Sequence, residues 1–96
     1  MSEKKLKDGL CLFEEALTVM SFNADRLDSG FMTHRQERER CAAKFRDMKE
    51  YWNKDPMLLG TLDDLTCSAI AAYADEDFDQ GNTLVMRIEE ILWTLR

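Results

Sequence analysis

The sequence predicts an all-α fold, an antiparallel helical bundle of about four helices joined by short connections. Three observations carry that expectation. Apolar residues recur at steps of three and four along most of the chain, and the breaks between those runs hold helix-capping residues and the single proline. No period-two run bounded by hairpin turns interrupts them. With 96 residues, 45% of them hydrophobic, the chain has material for one domain, 1–96, around one modest core.

The first run is Leu6, Leu10, Phe13, Leu17, Met20, Ala24 and Leu27, alternating steps of four and three in a coiled-coil-like seam. It predicts a helix over about 3–28, stopped by Asp28-Ser29-Gly30, where Gly30 suits a left-handed C-terminal position. Because this helix is longer than its neighbours, an intertwined homodimer that completes the seam is the alternative architecture.

Thr33 followed by Gln36 is a capping box that opens a second helix over about 34–53. Its seam is Cys41, Phe45, Met48 and Trp52, and Pro56 ends it, because the residue before a proline disfavours the helical region. Asp55 as cap and Pro56 in the first turn then start a third helix over about 57–73. Thr61 with Asp63 and Asp64 offers a competing start, and the seam runs through Leu58, Leu62, Leu65, Ala69 and Ala72 or Tyr73. Asp75, Glu76 and Asp77 place negative charge at the N-terminus of a fourth helix over about 76–95. Phe78, Gly81, Val85, Ile88, Leu92 and Leu95 form its seam, and Gly81 within that face predicts close approach of a neighbouring helix.

The net charge of -6 opposes general binding to phosphate backbones or anionic lipid. Residues 33–54 carry seven basic and four acidic side chains, whereas 55–86 carry seven acidic and none basic, so the two segments are expected to attract within the fold. Cys11, Cys41 and Cys67 are widely spaced, odd in number and without a CxxC pair. That suits reduced, packed thiols, and with no secretory or membrane-spanning apolar run it predicts a cytoplasmic protein with no membrane partner.

Little in the sequence asks for catalysis. His34 is the sole histidine, and Cys41 lies about 10 Å along the helix from it, too far for a Cys-His pair. A His34-Glu37-Cys41 strip would need further ligands to hold zinc. Asp75–Gly81 resembles the opening of a calcium loop in its alternating carboxylates, but Met86 stands where the closing glutamate belongs. The pairs Glu14-Glu15, Asp63-Asp64 and Glu89-Glu90 are sequence neighbours, splayed about 100° apart on a helix. No phosphate-binding, nucleophile-elbow or zinc-protease motif occurs, so a non-enzyme without metal or cofactor is expected.

Two surface features remain. Arg35, Arg38, Arg46 and Lys49 gather on one flank of the second helix, near Phe45, Tyr51 and Trp52. Such a stripe can hold single-stranded nucleic acid, but the acidic chain disfavours that partner and the aromatics sit where a core would use them. Phe31 and Met32, in the loop before the second helix, and Trp93, near the end of the fourth, are candidate contact points for a protein.

Two functions are therefore expected in competition. One is a small non-catalytic interaction module, an adaptor, chaperone-like or assembly subunit, that buries an apolar helical face against another protein. The other is an acidic inhibitor or nucleic-acid mimic of phage or mobile-element type, blocking a basic cleft with Asp63, Asp64, Asp75, Glu76, Asp77 and Asp79.

Overall fold

A computed structural model describes residues 2–24 and 32–95. Those residues form four helices, α1 (Ser2–Asn23), α2 (His34–Lys49), α3 (Pro56–Ala74) and α4 (Phe78–Thr94), with no strand among them. Each helix packs chiefly on its chain neighbour, α1 on α2 and α3 on α4. The two hairpins then meet through α1 with α4 and α2 with α3, which makes a four-helix bundle.

The capping chemistry works at three helix starts. The Thr33 hydroxyl accepts from the Gln36 amide at 3.1 Å while the Gln36 side chain accepts from the Thr33 amide at 2.9 Å, a complete capping box. Asp55 accepts from the Met57 amide at 2.9 Å with Pro56 in the first turn of α3, so the competing start at Thr61 is not used. Asp77 accepts from the Gln80 amide at 3.3 Å and caps α4.

Asp75 and Glu76 do something other than greet the N-terminus of α4; they close α3. The Asp77 amide reaches back to the Ala72 carbonyl at 2.8 Å and the Glu76 amide to Tyr73 at 3.1 Å, the paired bonds of a Schellman turn. Glu76 sits in the left-handed region at φ 62 that this turn demands and that glycine usually fills.

The core is built from the predicted seams. Leu6, Phe13, Leu17, Cys41, Met48, Leu62 and Ile88 are fully buried, and the rings of Phe13 and Phe45 meet edge to face at 5.2 Å. Glycines make room at two helix contacts. A Cβ on Gly9 would lie 3.1 Å from the Met48 Cα, so α1 and α2 are nearly backbone to backbone there. A Cβ on Gly81 would lie 2.5 Å from the Tyr73 ring, so where the seam predicts close approach of a neighbouring helix it is a side chain of α3, not its backbone, that fills the space.

Several expectations are corrected. Helix α1 ends at Asn23, with Ala24 already in a turn; Leu27 and the Asp28–Gly30 stop lie outside the described residues. Ser21 and Asn23 are weak helix formers whose side chains bond elsewhere, Ser21 to the Thr18 carbonyl and Asn23 to Glu37. Helix α2 ends at Lys49, before Trp52. The amides of Tyr51 and Trp52 reach back three residues, to Met48 and Lys49, tightening the exit. The Trp52 indole N–H then bonds the Asp55 carbonyl at 3.0 Å, so its ring packs on the core from the connection and not from a helical seam.

Of the three thiols expected to be packed, only Cys41 is buried, because Cys11 and Cys67 fall on outer faces of α1 and α3. Ala16, Thr66 and Leu84 join the core without having been singled out by the heptad steps, since a bundle helix buries a wider arc than a two-residue seam.

Candidate protein-interaction surface

Helix α4 divides cleanly. Gly81, Leu84, Val85, Ile88 and Leu92 are buried, whereas Met86 and Trp93 are 63% and 73% exposed. The two lie seven residues apart, which is two helical turns, or about 10 Å along the axis on one outward stripe. They line a shallow depression of about 360 Å³ together with Glu89 and Glu90. Single exposed apolar residues are ordinary on a soluble surface; a pair sharing one stripe and one depression is the kind of patch a partner covers. Leu12, Phe22 and Met57 are also exposed, but they belong to α1 and α3 and do not line the depression.

Trp93, whose sequence position fits either a core edge or an outward anchor, is placed outward. Met32 is half-buried just before the Thr33 cap, and Phe31 lies outside the described residues. Met86, which is not among the contact points the sequence suggests, lines the depression beside it. Its signal was its spacing of seven from Trp93 and its place off the Val85, Ile88 and Leu92 seam.

The acidic residues divide into two groups. Asp63 is half-buried and accepts a hydrogen bond from the Cys67 thiol at 3.5 Å; Asp64 beside it is exposed. Partial burial, that hydrogen bond and the charges of Asp63 and Asp64 all push the Cys67 thiol up. Asp75, Glu76, Asp77 and Asp79 are exposed at and just after the α3–α4 turn, eleven or more residues farther on, or about 17 Å along α3. The structure therefore does not bring all six carboxylates together.

The basic stripe is present but differently furnished. Arg35 is paired with Glu39 at 3.1 Å, Arg38 is half-buried, and Arg46 and Lys49 are exposed. Phe45 is buried, Tyr51 lies under the Lys5 ammonium at 5.2 Å, and Trp52 is held by Asp55, so the neighbouring rings are committed within the fold. Arg40 pairs instead with Glu15 of α1 at 3.4 Å, and neither of these two ion pairs joins the basic segment to the acidic one.

Buried polar groups are few. Glu37 accepts from Asn23 at 2.9 Å where α2 meets α1, and His34 is half-buried at the start of α2. Glu37 and Cys41 face the interior, and no group of three metal-ligating side chains occurs among the described residues. The Cys41 thiol is pushed up to about 12 by burial, offset a little by Arg40. Tyr73 donates to Asn82 at 2.7 Å and is raised to about 12 by burial, with the charge of Glu89 adding to it. Among the described residues no helix is long and apolar enough to cross a membrane.

Fold and surface together define a small four-helix bundle with one outward apolar stripe edged by carboxylates. No protein-family model matches the chain, and no curated protein or solved structure matches it.

Proposed function

We propose that this protein is a small non-catalytic interaction module that binds another protein through the outward face of α4. The observation that carries the reading is the joint exposure of Met86 and Trp93 on one stripe of a helix whose opposite face is fully used in the core. The mechanism is burial of that stripe against a partner, with Trp93 as the large anchor and Glu89 and Glu90 fixing orientation at the rim. Cytoplasmic residence belongs to the same proposal, supported by free cysteines that include two exposed thiols.

The test is affinity capture from the cells that make the protein, with and without nuclease and at low and high salt, comparing the unaltered chain with Met86→Ser/Trp93→Ala. A partner retained through high salt and lost with the double substitution supports the reading. A partner retained equally by both chains refutes it.

A second reading, the acidic inhibitor, draws on the shared exposure of Asp75, Glu76, Asp77 and Asp79 at one end of the bundle. It predicts that the captured protein handles nucleic acid, leaves on adding salt and is lost when those four residues are made Asn or Gln.

A further inference from the structure

The outward face of α4 has a chemistry that selects its partner. Asp79, Met86, Glu89, Glu90 and Trp93 are all exposed on it. Three of the five are carboxylates, and among the described residues no basic side chain lines the depression. Arg87 projects about 100° from Met86 around the helix and flanks Glu90 three residues on, so the face is bordered by one basic side chain while Asp79, Glu89 and Glu90 keep it acidic. Lys4, Lys5 and Lys7 sit on α1, with Lys5 over Tyr51, and do not line it either.

The size of the face also constrains the occupant. A helix of 17 residues offers a face about 25 Å long and 10 Å wide, or about 250 Å². That strip has the length and width of one docked helix. A second copy of this chain would bring that same small face and oppose Glu89 and Glu90 to their own like charges.

We infer that the face takes a single basic amphipathic helical segment of another protein. An apolar side chain of that segment seats between Met86 and Trp93, and its Lys or Arg side chains meet Glu89, Glu90 and Asp79. This inference rests on the interaction-module reading above and names the chemistry of its partner.

The test uses defined probes: a helical-period Leu/Lys peptide, and the same peptide with Glu in place of each Lys. Binding is read by Trp93 emission in a Trp52→Phe background and by isothermal titration on the unaltered chain, which stands if Trp52→Phe does not fold. The expected result is saturable binding of the Lys peptide that weakens with salt, with no binding of the Glu peptide. Met86→Ala/Trp93→Ala should weaken it at least about tenfold, and Glu89→Gln/Glu90→Gln about threefold.

Equal binding of the Glu peptide through Met86 and Trp93 overturns the basic-partner inference while leaving α4 as the interaction face. Binding indifferent to Met86 and Trp93, or absent for both peptides, overturns it as well; the interaction reading falls with it only if the captured partner also ignores those substitutions. Trp93 emission that follows protein concentration without peptide would seat a second copy on the face and overturn it too.

Discussion

Gly81→Ala is the sharpest test of how the α3–α4 hairpin is held. In an isolated helix the change is favourable by about 1 kcal/mol, because glycine is the more costly residue to order. Here the added methyl would stand 2.5 Å from Cε1 and 2.7 Å from Cδ1 of Tyr73. That ring is 4% exposed, and its hydroxyl is tied to Asn82 at 2.7 Å, so it has no free direction in which to swing. Overpacking of this kind costs about 2 kcal/mol, and losing the Tyr73–Asn82 bond adds about 1. Against the propensity gain, the net destabilisation is about 2 kcal/mol, a fall in Tm of roughly 10 °C for a domain of this size.

The assay is urea unfolding of the four members of a double-substitution cycle with Tyr73→Ala, which removes the ring. In that background Gly81→Ala should reverse sign and stabilise by about 1 kcal/mol, giving a coupling of about 3 kcal/mol. A stabilising Gly81→Ala in the unaltered chain, or a penalty that persists without the ring, would refute the reasoning.

Other expectations follow from the interior and its caps. Thr66 is 2% exposed and its hydroxyl has no hydrogen-bond partner, so Thr66→Val should stabilise by about 1 kcal/mol in thermal or urea unfolding. Glu76 holds a left-handed conformation, so Glu76→Gly should stabilise by about 1 kcal/mol by the same measurements, although it removes a surface charge. A thiol reagent should titrate Cys11 and Cys67 in the folded protein and Cys41 only on unfolding, with Asp63→Asn speeding the reaction at Cys67. Stability should also fall at alkaline pH. Cys41 and Tyr73 rise from 9.0 and 10.0 to about 12 on folding, so the unfolded chain releases their protons first. Stability is then complete below about pH 9 and declines between 9 and 12. Urea midpoints should show that decline, and Tyr73→Phe should shrink it.

Much of the bundle was legible because helical periodicity and capping are local properties. The Thr33–Gln36 box and the Asp55-Pro56 start depend on residues within three or four positions of each other, and each occurs where the sequence places it. Helix ends were less legible where the deciding bond crosses the chain. Trp52 fits the seam of α2 by spacing, yet its indole bonds Asp55 and the helix stops at Lys49. Asn23 ends α1 with its side chain on Glu37, fourteen positions away.

The candidate site was half legible. Trp93 stood out as a large aromatic near a seam, but heptad steps alone do not separate a core edge from an outward face. Met86 became part of a site only once Leu84 and Val85 took the interior of α4 and left the opposite arc to Met86 and Trp93. The carboxylates show the same division: sequence supplies their number, whereas the Schellman turn assigns Asp75 and Glu76 to closing α3 and Asp77 to opening α4.

By itself, the sequence determined the fold class, the starts of α2 and α3 and the segregation of charge, since each is set by residues close in the chain. Tertiary structure decided which apolar residues face outward, which thiols are hidden and which carboxylates stand together. Those depend on how the helices pack, through contacts such as Gly9 against the Met48 backbone and Gly81 against the Tyr73 ring, where the absence of a side chain leaves room for the neighbour.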